Sequence, residues 1–384
     1  INQTVMAAVS FVVIAALIGA PGLGKPVVSA LIIRNVGQGF VAGFAVVFLA
    51  ILLDRSTSAA AKKQTSFVPP SEKTLRNQRI TKIILGIGAL ISVYLSRTLL
   101  WAAVWPSQIS IAKQVEMFTN DATNWALKNL YFLTVGFKDF ISYSVLNPLE
   151  SLLAGSPWYL TVGMVVAVAL VIAEIRIAIL AFVLSMSIVL SGLWYESMIT
   201  LTQTIVGTLL TMMVGIALGI WTGRNDRLEK FLRPFLDAGQ TLPAFVYLVP
   251  MLGLFGPTRF TAIATGIVYS IPIVVKIVCE GIRAVPHSLV EAATASGSTT
   301  YQIITKVQLP AAKRTILLAV NQGLIYVLAV VVIGGFVGSG GLGYLVIVGN
   351  SKPELQGKGL IAGLCILLLG VIFDRIMQSS ARRS

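Results

Sequence analysis

The chain has 384 residues, of which 56% are hydrophobic and 11% are charged, and the apolar residues form runs far longer than a soluble core helix needs. This composition excludes an ordinary soluble domain and predicts an all-α, polytopic membrane protein. The formal net charge of +14 does not indicate nucleic-acid binding, because the basic residues concentrate in alternate connecting segments.

Ten apolar runs approach the length of about 20 residues that crosses a bilayer. They lie near 5–20, 36–53, 83–104, 157–173, 176–193, 198–221, 238–255, 260–280, 314–336 and 358–377. The connecting segment 54–82 carries seven Lys and Arg residues against two acidic residues, so it is predicted to be cytoplasmic. Counting spans from this segment places 105–156 outside the cell and places 222–236, 281–313 and 378–384 inside it.

Two stretches of the chain, 1–55 and 320–375, resemble each other. The matched positions are Asn2-Gln3 with Asn321-Gln322, Val12-Val13-Ile14 with Val331-Val332-Ile333, Gly22-Leu23-Gly24 with Gly341-Leu342-Gly343 and, after a shift of one residue, Gly37, Gly39, Ala42-Gly43 and Asp54-Arg55 with Gly357, Gly359, Ala362-Gly363 and Asp374-Arg375. Both copies run in the same direction in the span count. The repeat is therefore parallel, as expected of two fused equivalent subunits.

This repeat predicts the organisation of the chain. Residues 1–55 are expected to be the C-terminal end, with two spans, of a first unit, and Ile1 lies inside an apolar run, as in a piece of a longer protein. Residues 56–82 are expected to be a flexible cytoplasmic linker, and residues 83–384 a second unit. Within that unit, 105–156 is predicted to be an amphipathic segment on the outer interface, with an ordinary external loop as the alternative.

The polar segment between the eighth and ninth spans carries strong helix-boundary signals. Ser288 and Glu291 fit a capping box at the start of one helix, and Gly297 suits a left-handed helix end. Thr299 and Gln302 fit a second capping box. The sequence therefore predicts a pair of short cytoplasmic helices joined by a sharp turn.

The second helix of this pair is predicted to end at Pro310, because the residue before a proline disfavours helical geometry. One apolar face is predicted across the pair, leaving small residues exposed for docking. Its members are Val290, Ala293, Ile303, Val307 and Leu309.

The same segment resembles the EAA loop of permeases from ATP-binding-cassette (ABC) importers. The matching residues are Glu291, Ala292, Ala293, Gly297, Val307, Leu309 and Pro310, with Val307 where the family usually has Ile. The resemblance implies a type I ABC importer transmembrane domain whose coupling helices sit in a cleft of a separate nucleotide-binding subunit. It also implies two such ATPase subunits, which bind ATP and magnesium, and no catalytic or metal site in this chain.

A second stretch, from Asp237 to Pro250, looks like the corresponding segment of glycine betaine and proline betaine permeases, and so does Gly341-Leu342-Gly343. The resemblance covers the core at about 195–377 well and 83–156 only loosely. It implies transport of a compatible solute across the cytoplasmic membrane, delivered by an extracytoplasmic solute-binding protein. Permeases for methionine, taurine or another small nutrient share the coupling loop and remain an alternative, as does an ion-coupled secondary carrier.

Several residues are candidates for the translocation path, because prolines bend or break a span and amides inside a bundle need partners. They are Thr241, Pro243, Phe245, Tyr247, Pro250, Asn321 and Gln322. Packing kinks and interhelix hydrogen bonds without substrate contact are the alternatives. Gly341, Leu342 and Gly343 are a candidate outer gate, with a plain turn as the alternative.

Other signals carry no predicted chemistry. Residues 19–25 nearly spell a phosphate-binding loop, but Pro26 stands where Ser or Thr would hold magnesium. His287 has no matched acid or nucleophile nearby. Lys276 and Glu280 are four residues apart on one helix face, where they are expected to pair.

Overall fold

The computed structural model describes residues 15–16, 20–64, 72–99 and 110–383, and the regular elements within these ranges are helices. In chain order they are α1 (Gly24–Ile33), α2 (Val36–Gln64), α3 (Glu72–Thr98), α4 (Ala112–Asn129), α5 (Phe132–Ala154), α6 (Trp158–Ile172), α7 (Ile175–Leu190), α8 (Trp194–Arg224), α9 (Asp226–Thr241), α10 (Ala244–Phe255), α11 (Arg259–Arg283), α12 (His287–Ala295), α13 (300–311), α14 (Lys313–Ile333), α15 (Gly341–Ser351) and α16 (Gln356–Arg383).

Six helices within the described ranges are long and apolar enough to cross a membrane, namely parts of α2, α3, α8, α11, α14 and α16. They confirm the prediction of an all-α, polytopic membrane protein. Three further predicted spans match other apolar helices. The span at 176–193 matches the shorter helix α7, and the spans at 157–173 and 238–255 match α6 and α10, each of which is one arm of a bent helix pair. The first predicted span lies almost wholly outside the described residues.

The span predicted at 238–255 is not one straight helix, because α9 and α10 meet at an angle of 99°. Leu242 and Pro243 between them have extended backbone, as the steric conflict between a proline and the preceding residue favours. With 12 residues at about 1.5 Å each, α10 is roughly 18 Å long, which is too short to cross the hydrocarbon. A second bend, of 107°, separates α5 from α6.

The predicted flexible linker at 56–82 is largely helical. The end of α2 runs through residues 56–64, and α3 begins at Glu72 and continues past residue 82. Residues 65–71 lie outside the described part. The low apolar content of this stretch therefore does not prevent helix formation, because two long apolar helices extend into it from either side.

The stretch 105–156 is helical from Ala112 onward, so the alternative of an ordinary external loop is wrong. One of its helices, α4, is fixed to the first repeat copy through polar side chains. The Asn35 side-chain amide donates to Glu116 Oε1 at 2.8 Å, and the backbone N–H of Gly37 donates to Asn120 Oδ1 at 2.8 Å.

The next helix, α5, is fixed to the core of the second unit. The guanidinium of Arg259 at the start of α11 pairs with the Glu150 carboxylate and donates to Asn147 Oδ1 at 2.9 Å. The stretch 105–156 thus contacts both the first repeat copy, through α4, and the core of the second unit, through α5.

The centre of the second unit is a bundle of α8, α11 and α14. Glycines on α8 let α11 approach closely: a Cβ added at Gly215 would lie 2.5 Å from Val274 Cγ1, and one added at Gly219 would lie 2.6 Å from Val278 Cβ. Both valines are fully buried. Small residues at four-residue spacing are a common way of packing membrane helices.

We expect Gly219→Ala to lower the thermal unfolding temperature of the detergent-solubilised chain, because the added methyl overlaps Val278 and overpacking costs about 1–3 kcal/mol. Gly163→Ala is the matched control, since a Cβ at Gly163 in α6 meets nothing within 4 Å. An equal unfolding temperature for the two variants would contradict the proposed close contact of α8 and α11.

Candidate functional site

The helix pair predicted from the polar segment is present as α12 and α13. Gly297 joins them with a φ of 77°, the left-handed conformation expected of a glycine at a helix end. The predicted capping box at the start of α13 is confirmed: Gln302 Oε1 accepts from the Thr299 backbone N–H at 2.8 Å, and Thr299 Oγ1 accepts from the Gln302 backbone N–H at 3.4 Å.

The capping box predicted for Ser288 and Glu291 is wrong. The first helix starts after Pro286, and no side chain caps it. The Glu291 carboxylate instead lies 3.0 Å from His287 Nδ1, one turn earlier on the same helix.

The apolar face predicted across the pair is present, since all five of its residues are buried or half-buried. Val290 and Leu309 pack against a cluster at the ends of α11 and α14 that includes Ile282 and Val285. In addition, Oε1 of the buried Gln308 side chain in α13 accepts a hydrogen bond from the Arg224 guanidinium at the end of α8. The pair is therefore attached to all three central helices.

The opposite face of the pair is open to solvent. The Tyr301 side chain is 75% exposed and the Glu291 side chain is 70% exposed. Leu289 and Ala292 are exposed beside them. Large apolar side chains on a polar segment, next to an unburied carboxylate, are typical of a protein docking surface. We call Leu289, Glu291, Ala292 and Tyr301 the docking face.

The predicted helix end at Pro310 is off by one residue, because helical backbone continues to Ala311. A π-helical stretch over Ile304–Gln308 precedes it. Val307 is half-buried on the inner face, and Ala293 is half-buried opposite it in α12.

The candidate path residues fall around the break between α9 and α10. Pro243 forms the break, whereas Pro250 lies inside α10 without interrupting it. Phe245 is buried against Phe336, with ring centroids 5.8 Å apart. Tyr247 donates its hydroxyl to the Gly239 carbonyl at 2.7 Å across the break. The side chain of Thr241 lies outside the described residues.

A cavity of about 710 Å³ lies beside Phe245, between α1 and α15. Its lining includes Lys25, Phe336, Gly343 and Tyr344. Reasoning from the sequence missed Lys25, Phe336 and Tyr344 as cavity residues. The available signal was the repeat, because α1 and α15 begin within its equivalent Gly-Leu-Gly motifs and transporters built from repeats bind substrate at the repeat interface.

The amide predicted to bond between helices does so at Asn321, whose side chain donates to Asp374 Oδ1 on α16 at 3.0 Å. Gln378 donates to the same carboxylate, at 2.7 Å to Oδ2. Asn321 is therefore engaged in fixing α14 to α16, and its neighbour Gln322 is half-buried.

The candidate outer gate is the first turn of α15, which is held against α8. Gly341 has a φ of 66°, and Leu342, fully buried, donates its backbone N–H to Thr200 Oγ1 at 2.9 Å. A Cβ at Gly343 would lie 2.2 Å from the Val332 carbonyl oxygen. The turn is anchored further by the Gln203 side chain, which donates to the Ser339 carbonyl at 2.7 Å.

The ion pair predicted between Lys276 and Glu280 is not formed. The Lys276 ammonium bonds instead to the Asp237 carboxylate and, at 2.6 Å, to Gln240 Oε1. Because α9 turns back alongside α11, its polar residues come within reach of Lys276, which sequence spacing alone does not show.

Spanning helices around a tight central bundle, with a rigidly attached helix pair displayed outside it, define a membrane subunit of a transport system. The chain belongs to the family of binding-protein-dependent transport system inner membrane components, whose family model matches residues 215–384. It is a multi-pass protein of the cytoplasmic membrane with the fold class of a type I ABC importer transmembrane domain.

Curated relatives support this assignment. The glycine betaine/proline betaine transport system permease protein ProW of Escherichia coli is 33% identical over 270 residues, covering 70% of this chain and 76% of that protein. The trimethylamine N-oxide transport system permease protein TmoV of Pelagibacter ubique is 32% identical over 387 residues. That match covers 99% of this chain but only 53% of TmoV, so the chain spans about half of that relative's length.

A solved structure of the inward-facing MetNI methionine ABC transporter also matches, at 24% identity and a TM-score of 0.43. The match covers 49% of this chain and 95% of that chain.

We expect Gly297→Val to open the turn between α12 and α13, because a β-branched residue at a positive φ costs roughly 1–2 kcal/mol. Gly297→Asn should have a smaller effect, since asparagine tolerates the left-handed region. Hydrogen–deuterium exchange of the amides at 287–311 measures the opening. Gly357→Val, at a site equally free of neighbours but without a positive φ, should leave that exchange unchanged. Equal exchange in all variants would show that the turn does not need glycine.

Proposed function

We propose that the chain is the permease subunit of an ABC importer that moves a betaine-type or related methylated amine solute across the cytoplasmic membrane by alternating access. The observation that carries this proposal is the docking face, displayed on a helix pair that is attached to α8, α11 and α14. An exposed apolar surface on a rigid mount can receive force from a partner and transmit it to the spans.

The partner is a separate ATPase. In this proposal Glu291, Ala292, Ala293, Gly297, Val307, Leu309 and Pro310 form the coupling loop. Leu289 and Tyr301 supply the exposed apolar contacts, while Val290 and Leu309 hold the loop on the bundle. ATP and magnesium bind to the partner, with two ATPase subunits per transporter and a second permease unit completing the pair. The chain itself carries no catalytic step.

The substrate class follows from the names of the relatives. ProW is named for glycine betaine and proline betaine, and TmoV for trimethylamine N-oxide. These solutes share a positively charged, fully substituted nitrogen and a negatively charged oxygen. The cavity beside α1 offers aromatic rings at Phe245, Phe336 and Tyr344 for the nitrogen, and Lys25 for the oxygen.

The cavity also fits alternating access, because it lies between two equivalent helices of the repeat. A relative movement of the two copies would open or close it, as in transporters that rock around a site at a repeat interface. An extracytoplasmic binding protein would deliver solute to it. The turn at Gly341, Leu342 and Gly343 contributes a wall to the cavity through Gly343 and is the candidate outer gate.

We expect Tyr301→Ala to abolish ATPase co-purification and to lower uptake at least tenfold, because its ring is available to a partner and little used within the chain. The control is Tyr195→Ala, because Tyr195 is also exposed but lies at the start of α8, away from the Arg224 end that contacts the helix pair. Both variants should retain the unfolding temperature of the unmodified protein. Full uptake with Tyr301→Ala would contradict a coupling role for the docking face.

Substrate class is tested by competition in vesicles that contain the assembled transporter. Unlabelled glycine betaine or trimethylamine N-oxide should compete with uptake of labelled glycine betaine, whereas methionine and taurine should not. Uptake should require ATP and survive collapse of the ion gradients. Competition by methionine would favour the nutrient-permease alternative, and loss of uptake on collapse of the gradients would favour an ion-coupled carrier.

A further inference from the structure

The two copies of the repeat occupy different surroundings in one structure. In the first copy, α1 and the apolar part of α2 correspond by sequence to α15 and the apolar part of α16 in the second copy. From Gly37 onward, each residue of the first copy corresponds to the residue 320 positions later in the second copy, as Gly37 corresponds to Gly357. Each position can therefore be compared in two environments.

In the first copy, α2 packs against α10, the short helix that follows the break at Pro243 and that we call a half-helix. A Cβ added at Gly39 would lie 2.7 Å from Val249 Cγ1, and one added at Gly43 would lie 3.3 Å from Val246 Cγ1. These glycines, four residues apart on α2, form a groove in which α10 lies. Val46 and Ala50 continue the same buried face toward the other end of α2.

In the second copy, Gly359, the equivalent of Gly39, packs against Gly349 of α15, and the groove beyond it has no occupant among the described residues. Gly363, the equivalent of Gly43, has nothing within 4 Å of an added Cβ. Leu367 is 61% exposed, whereas its equivalent Val47 is 8% exposed. An open groove of about 700 Å³ runs along this face and is lined by Val346, Gly363 and Leu367 among others.

The opposite face of the repeat shows the reverse pattern. In the second copy, Cys365 and Leu369 are buried against α6 and α7 of their own unit. Leu369 is 4% exposed, whereas its equivalent Leu49 is 40% exposed. Each copy thus buries the face that the other leaves open. This is the pattern expected if α16 is seen within its own unit and α2 is seen across the boundary between two units.

We propose that the face of α15 and α16 formed by Val346, Gly363 and Leu367 seats a half-helix equivalent to Ala244–Phe255, contributed by the first permease unit, of which α1 and α2 are the expected end. In an arrangement with approximate two-fold symmetry, a contact of the first copy with α10 requires the reciprocal contact of the second copy with the equivalent half-helix. The glycine at 363 permits the close approach that Gly43 permits in the first copy. This inference rests on the proposed pairing of permease units.

The test is photo-crosslinking in the assembled, membrane-embedded transporter, with a photoreactive amino acid at position 367. We expect an adduct with the proline-preceded half-helix of the first permease unit, identified by mass spectrometry of the digested product. The same amino acid at Ile179, which is 58% exposed on α7, should give lipid adducts only. Lipid adducts alone at position 367, or adducts with the ATPase or binding protein, would overturn the proposal.

A bulky substitution provides a second measurement. With the photoreactive amino acid at position 367, Gly363→Trp should reduce the yield of the half-helix adduct at least fivefold, because the indole fills the groove, while Gly163→Trp should not, although an added Cβ is equally unobstructed at both positions. An unchanged adduct yield in Gly363→Trp would contradict the seat. Uptake of glycine betaine by the unmodified transporter is measured separately, so a transporter that forms the cross-link but imports another solute would contradict the proposed substrate alone.

Discussion

The structure depends on the burial of one apolar face of the α12–α13 pair against the ends of α8, α11 and α14. Val290 and Leu309 enter the same cluster as Ile282 and Val285. The Arg224 bond to the buried Gln308 adds a polar anchor at that point. A loop fixed in this way moves with the bundle, because densely packed side chains transmit displacement instead of absorbing it.

The central bundle of α8, α11 and α14 is closely packed. Its helices approach through glycines on α8, so the three central helices form one stiff body to which the helix pair is fixed. The break at Pro243 and the turn at Gly341 lie elsewhere, next to the cavity between α1 and α15. In the proposed transporter, force enters at the docking face, and the response occurs where the backbone departs from regular helix.

The internal repeat connects these features. In the proposed pair of units, one copy lies within its unit and the other lies across the boundary, so a single chain would contain both sides of one contact. In that pair of units, a path through the cavity between α1 and α15 would receive residues from both units.

Sequence by itself determined the helical membrane class, the repeat and most of the docking loop. Apolar length, charge asymmetry and the local signals at Gly297 and Thr299 act over one or a few helical turns, so they can be read without tertiary structure. The Asn321 bond between helices was also foreseeable, because a buried amide in a bundle needs a partner.

Only the tertiary structure decided the remaining features. The Lys276 partners on α9 and the cavity lining by Lys25 and Tyr344 depend on contacts between residues far apart in the chain. The same holds for which face of each repeat copy is buried. Equivalent sequences at Gly43 and Gly363 carry the same local information, and only the neighbouring helix determines whether the groove beside them is filled.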